Sequence, residues 1–142
     1  MALWNRRGVD DALRKGDRGA GSLKQYRYNL TPSNARVTLR LADSDPHQDE
    51  IAKIVEAGET QLETAISRRS VEDERTDAPM VVRLFGGSRV TGVVGTVPRG
   101  LEAVVDEALS RLDMRGEKVR IPAKVVKTRD GLRVDLLIGL TR

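Results

Sequence analysis

Residues 90–141 constrain the fold more than any other stretch of this chain. Within them Leu101, Val104, Val105, Ala108, Leu109 and Leu112 recur at helical spacing, which predicts an amphipathic helix over 101–115 with Gly116 just past its end. After it, Val119, Ile121, Ala123 and Val125 alternate with Arg120 and Lys124, and Leu132, Val134, Leu136 and Ile138 alternate in turn. Asp130-Gly131 lies between the two runs, a two-residue hairpin signal. A strand over 90–97, interrupted by Gly92 and Gly95, leads into the helix through a turn at Pro98 and Gly100.

Upstream, Val37, Leu39 and Leu41 read as a half-buried strand. Asp45-Pro46 gives a helix cap with proline at the first helical position, and Ile51, Ile54 and Val55 form a stripe on a helix over 47–57. Leu62, Thr64 and Ile66 suggest another strand. Residues 68–78 are charged and turn-like, and residues 80–85 form a strand that turns at Gly86-Gly87. The order β-α-β-β-β-α-β-β predicts an α+β domain over 35–142: a small, barrel-like antiparallel sheet of about six strands with two helices. Aromatics are only 3% of the chain, so its core must be built from Val, Leu, Ile and Ala.

Residues 1–34 read as a basic extended arm and linker. Gly8, Gly16, Gly19 and Gly21 break any long helix, leaving one short helical turn over 9–14. Residues 23–30, which hold Tyr26 and Tyr28, alternate like an extended tail or an edge strand, and Thr31-Pro32-Ser33-Asn34 forms the linker.

One histidine and no cysteine remove most thiol, metal and histidine-base chemistry. His47 lacks ligand partners and reads as a surface or capping residue. Glu72, Asp73, Glu74 and Asp77 lack the spacing of a calcium loop, and Arg75 interrupts them. Gly86-Gly87-Ser88-Arg89 sits between strands rather than before a helix, so it reads as a hairpin and not as a phosphate loop. Glu102 would repel an anion from the turn at Pro98-Arg99-Gly100. The expectation is a non-enzyme without metal or cofactor. With no apolar run long enough for a membrane span, it is placed in the cytoplasm, or in a virion if of phage origin.

Charge is segregated. Residues 1–40 carry nine Lys/Arg against three Asp/Glu, residues 41–80 four against eleven, and residues 81–142 twelve against seven. Basic ends suit a polyanion, and opposite signs also suit pairing between copies in a homo-oligomer. Around the last hairpin, Arg120, Lys124, Lys127 and Arg129, with Arg115, Lys118 and Arg133 nearby, form a basic set that alternation turns outward. Arg89 and Arg99 add charge at the preceding turns. In the arm, Trp4, Arg6, Arg7, Tyr26 and Tyr28 are the candidate contacts.

Three joints carry a family likeness. They are Asp43-Ser44-Asp45-Pro46-His47-Gln48 after the first strand, Glu72–Ala78 before Met80-Val81-Val82, and Gly95-Thr96-Val97-Pro98 before the long helix. Over about residues 37–140 this pattern resembles the HIRAN domain, a small nucleic-acid-binding module, and implies its β-rich fold. The resemblance also implies single-strand end binding with help from stacking aromatics. Here the turn aromatic is replaced by Thr96, and Phe85 alone remains in the domain, where MVVRLF reads as core. Two functions follow as expectations: a nucleic-acid-binding module using the basic hairpin and arm, or an assembly subunit whose arm docks on neighbouring chains.

Overall fold

The structure, a computed structural model, describes residues 15–142. Its strands are β1 (Leu39–Arg40), β2 (Leu62–Ala65), β3 (Val81–Gly86), β4 (Arg89–Thr96), β5 (Pro122–Thr128) and β6 (Gly131–Leu136). They form one antiparallel sheet in the order β1-β6-β5-β2-β3-β4. Two main helices, α1 (Gln48–Glu56) and α3 (Glu102–Met114), and the short α2 (Val71–Thr76) complete an α+β fold. The sheet curls into a half-barrel. Just past β1, Ala42 exchanges two 2.8 Å backbone hydrogen bonds with Thr96 of β4, so the two edges meet there.

Elsewhere the edges stay apart, and α1 fills the gap with side chains. Gln48 donates to the Leu132 carbonyl and accepts from the Leu132 N–H, both at 2.9 Å, and so replaces a neighbouring strand for β6. Two residues on, Glu50 Oε1 accepts from the Gly92 N–H of β4 at 2.6 Å. Buried main-chain groups without partners are costly, and these two side chains satisfy the open edges. Ile51 and Ile54 of α1, and Val104, Val105, Leu109 and Leu112 of α3, join Val82, Leu84, Val94, Val134 and Leu136 in an aliphatic core.

Three readings of the sequence need correction. Residues 71–76 are helical rather than turn-like. Ser70 and Asp73 form a reciprocal capping box, and Asp77 at φ 53° ends the helix, yet none of its residues is buried. Residues 23–30 are not a strand: Leu23–Gln25 is a single 3-10 turn, and Tyr26 then bridges back to Pro32.

From Gly16 onward, moreover, the expected arm and linker pack on the domain. Asp17 is buried and accepts from the N–H groups of Ser44 (2.6 Å) and Asp45 (3.1 Å). Ala20 exchanges two hydrogen bonds with Arg40 on the edge of β1, and Tyr26 belongs to the core. Glycine here allows close approach. A methyl group on Gly19 would lie 2.5 Å from Pro98 and 2.8 Å from the Arg40 carbonyl. Trp4, Arg6, Arg7 and the helical turn expected over 9–14 lie outside the described residues.

Candidate nucleic-acid interface

Alternation along β3 turns Val82 and Leu84 inward, with Val81, Arg83 and Phe85 on the opposite face. Register extends that outer face across the sheet. Phe85 pairs with Glu63, and Glu63 pairs with Pro122. Two steps either side of Pro122, Arg120 and Lys124 must stand on the same side as Phe85. The side chains agree with this placement. The Arg120 guanidinium lies 3.9 Å from the Phe85 ring centroid, and its Nη1 is 3.7 Å from Glu63 Oε1. Phe85 therefore supports a cation–π contact on the outside of the sheet, and its place in the core is corrected. The signal was in the sequence: Arg83, two residues earlier, shares its face.

Val81 (42% exposed) and Val90 (56% exposed) flank this face, Val90 pairing directly with Phe85. The result is an open surface over β5, β2, β3 and β4. It combines an aromatic ring, exposed valines and the cations Arg83, Arg120 and Lys124, with Glu63 at its centre. It stops at β6. Lys124 and Val126 pair with Asp135 and Arg133, and both of those side chains are buried.

Arg133, expected outward, is instead almost fully enclosed. Its Nε donates to the Gly16 carbonyl (3.0 Å) and lies 3.8 Å from Asp17, while Nη2 reaches Asp45 at 2.7 Å. The Gly16–Asp17 segment covers it. Asp135 is bound by Arg40 through two hydrogen bonds of 2.8 and 3.2 Å.

The remaining predicted contacts do not converge. Lys127 is three residues from Lys124 and stands on the other side of β5, correcting its assignment to the same outward stripe. Arg129 is exposed in the turn between β5 and β6. Asp130-Gly131 begins one residue late, because the turn's central pair is Arg129-Asp130 and Gly131 (φ 122°) opens β6. Arg89 is exposed at the start of β4. Arg99 is committed elsewhere: it donates to the Asp77 carbonyl (2.7 Å) and carboxylate (2.9 Å) and to Glu102 (3.2 Å). The Gly100 N–H, which an anion would need, is taken by Glu102 Oε1 at 2.7 Å. Tyr26 is buried rather than available for docking, and Tyr28 stands fully exposed in the turn between Tyr26 and Pro32.

A shallow concavity of about 660 Å³ borders this face, lined by Glu59, Gln61, Glu63, Lys118 and Pro122 among others. Among the described residues, no group of three or more His, Cys, Asp or Glu side chains is placed to hold a metal ion. Nor is any helix there long and apolar enough to cross a membrane. Comparison with protein-family models, curated proteins and solved structures finds no match to this chain.

Proposed function

We propose that the chain is a non-enzymatic nucleic-acid-binding module, of the kind its HIRAN-like joints suggest, and that its contact surface is the open outer face of the sheet. The observation that carries this reading is the Arg120 guanidinium 3.9 Å from the centre of the Phe85 ring, on the same side of the sheet as Lys124 and Arg83. Such a surface supplies both kinds of contact that a strand needs. Lysine and arginine neutralise phosphates, and a guanidinium backed by an aromatic ring offers a plane on which a base can stack. Stacking requires an unpaired base, so the reading favours single strands over duplex.

The test is fluorescence anisotropy with labelled single-stranded and duplex oligonucleotides, comparing the wild type with Phe85→Leu. Leucine keeps the apolar bulk and removes the π-face. Loss of about 1 kcal/mol of stacking should weaken single-strand binding roughly fivefold and leave duplex binding unchanged. Equal binding by both proteins would remove the stacking element. The alternative, an assembly subunit whose arm docks on neighbouring chains, has the exposed Val81 and Val90 of this same face as an apolar surface to dock on. It predicts concentration-dependent self-association in sedimentation that Val81→Lys abolishes.

A further inference from the structure

The N-terminal segment leaves the sheet beside β1. Ala20 exchanges hydrogen bonds of 3.1 and 2.9 Å with the C=O and N–H of Arg40. In an antiparallel ladder the main-chain groups two residues away point from the same edge, so those of Thr38 face the position of Ser22. Ser22 does not take them. Its carbonyl accepts from the Gln25 N–H at 3.0 Å, which starts a 3-10 turn and carries the segment away. Among the described residues, neither the N–H nor the C=O of Thr38 has a hydrogen-bond partner.

A cavity of about 600 Å³ opens in this gap, lined by Ser22, Gln25, Thr38, Arg40 and Asp135 among others. Arg40 grips Asp135 through Nε and Nη2, which leaves its Nη1 to donate elsewhere. Gln25 also lines a second cavity of about 410 Å³, together with Lys24, Ser33, Asn34, Arg36 and Val37. Lys24 and Arg36 are exposed there. Unlike Arg68, Arg75 or Arg120, they pair with no carboxylate among the described residues. The loop beneath them is fixed. The Gln25 carbonyl accepts from the Ser33 N–H (2.8 Å) and hydroxyl (2.7 Å), and Asn34 Oδ1 accepts from the Arg36 N–H (2.9 Å). Tyr26 anchors the same loop in the core. A site held in shape before its ligand arrives spends less of the interaction on ordering.

The two cavities ask for different chemistry. Two cations without an acid attract a phosphate. A main-chain N–H beside a C=O matches the edge of a nucleobase, which sets an acceptor beside a donor. We propose that the joined cavities bind a nucleotide, its phosphate against Lys24 and Arg36 and its base against the Thr38 main chain and Arg40. The site shares no residue with the Phe85 face and stands without the strand-binding reading.

Isothermal titration of the full chain with AMP, GMP, CMP and UMP tests this, followed by the nucleoside of the tightest binder and by ribose 5-phosphate. The nucleoside and the sugar phosphate each keep one end of the ligand, so each should bind at least about tenfold more weakly than the nucleotide. Lys24→Gln combined with Arg36→Gln should weaken the nucleotide at least about tenfold and leave the nucleoside unchanged. Both side chains are exposed, so the melting temperature should stay at the wild-type value. Phe85→Leu should leave nucleotide affinity unchanged. Displacement of the nucleotide by a short single strand would extend the site to strand nucleotides, and retention would confine it to free ones; either result keeps the site. Binding by none of the four nucleotides would overturn the proposal. So would ribose 5-phosphate binding as tightly as the nucleotide, a double variant with wild-type affinity, or loss of affinity in Phe85→Leu.

Discussion

Arg133 shows how a residue's role depends on what lies over it. Alternation puts it on the outer side of β6, opposite Val126, where an arginine ordinarily reaches solvent. Its side chain is 1% exposed because Gly16 and Asp17 pack against it, and the Asp17 side chain is itself 2% exposed. A buried cation with two carboxylate partners contributes little net when intact, but removing it leaves the buried Asp17 without its counter-charge. Arg133→Met, which keeps the bulk, should therefore lower unfolding free energy by about 3 kcal/mol in urea denaturation. A loss under about 1 kcal/mol would mean that water already reaches Asp17. Phe85 is the opposite case, an apolar residue outside. Its strand reads as continuously apolar except for Arg83, and that single charge marks the solvent face of the whole strand.

Among the elements, α3 and the β5–β6 hairpin were legible because their periods differ and persist over many residues. α1 was legible as a helix, but its work on the strand edges was not. Gln48 and Glu50 take main-chain groups of β6 and β4, partners remote in sequence that no local pattern can show. Glu50 also gives a pH signature. Its hydrogen bond to Lys53, then that from the Gly92 N–H, hold the carboxyl below its ordinary 4.5. A folded-state value below the unfolded one means that the contribution is complete above about 4.5 and lost as pH falls through the lower folded value. Glu50→Gln should thus show a shallower loss of stability below pH about 4.5 than the wild type. Identical acid-denaturation curves would place the Glu50 contacts outside the cooperative structure.

For the whole molecule, the main revision concerns the N-terminal segment. Its glycines read as breaks because sequence alone cannot separate flexibility from close approach. Methyl groups at Gly16, Gly19 and Gly21 would run into Asp130, Pro98 and Leu101 respectively, so these glycines let the segment pass close against the domain. Removing residues 1–30 takes away Asp17, the Ala20 bridge to Arg40 and the buried Tyr26 ring. Together these should cost at least about 5 kcal/mol, enough to abolish or sharply lower a cooperative thermal transition. An unchanged melt would restore the segment to a detachable arm.

The basic charge that sequence spreads along the last hairpin is redistributed by the fold: Arg133 inward, Arg99 into ion pairs, Lys127 to the other face, and Arg120 and Lys124 beside Arg83. The central claim, that this last group binds a nucleic-acid backbone, is tested most directly by the salt dependence of single-strand affinity. Arg83→Gln, Arg120→Gln and Lys124→Gln combined should weaken binding and flatten the slope of log K against log salt by about two, as about three phosphate contacts are lost. Arg75→Gln on the exposed α2 should leave the slope unchanged. Wild-type binding that ignores salt, or a triple variant with the wild-type slope, would contradict the account.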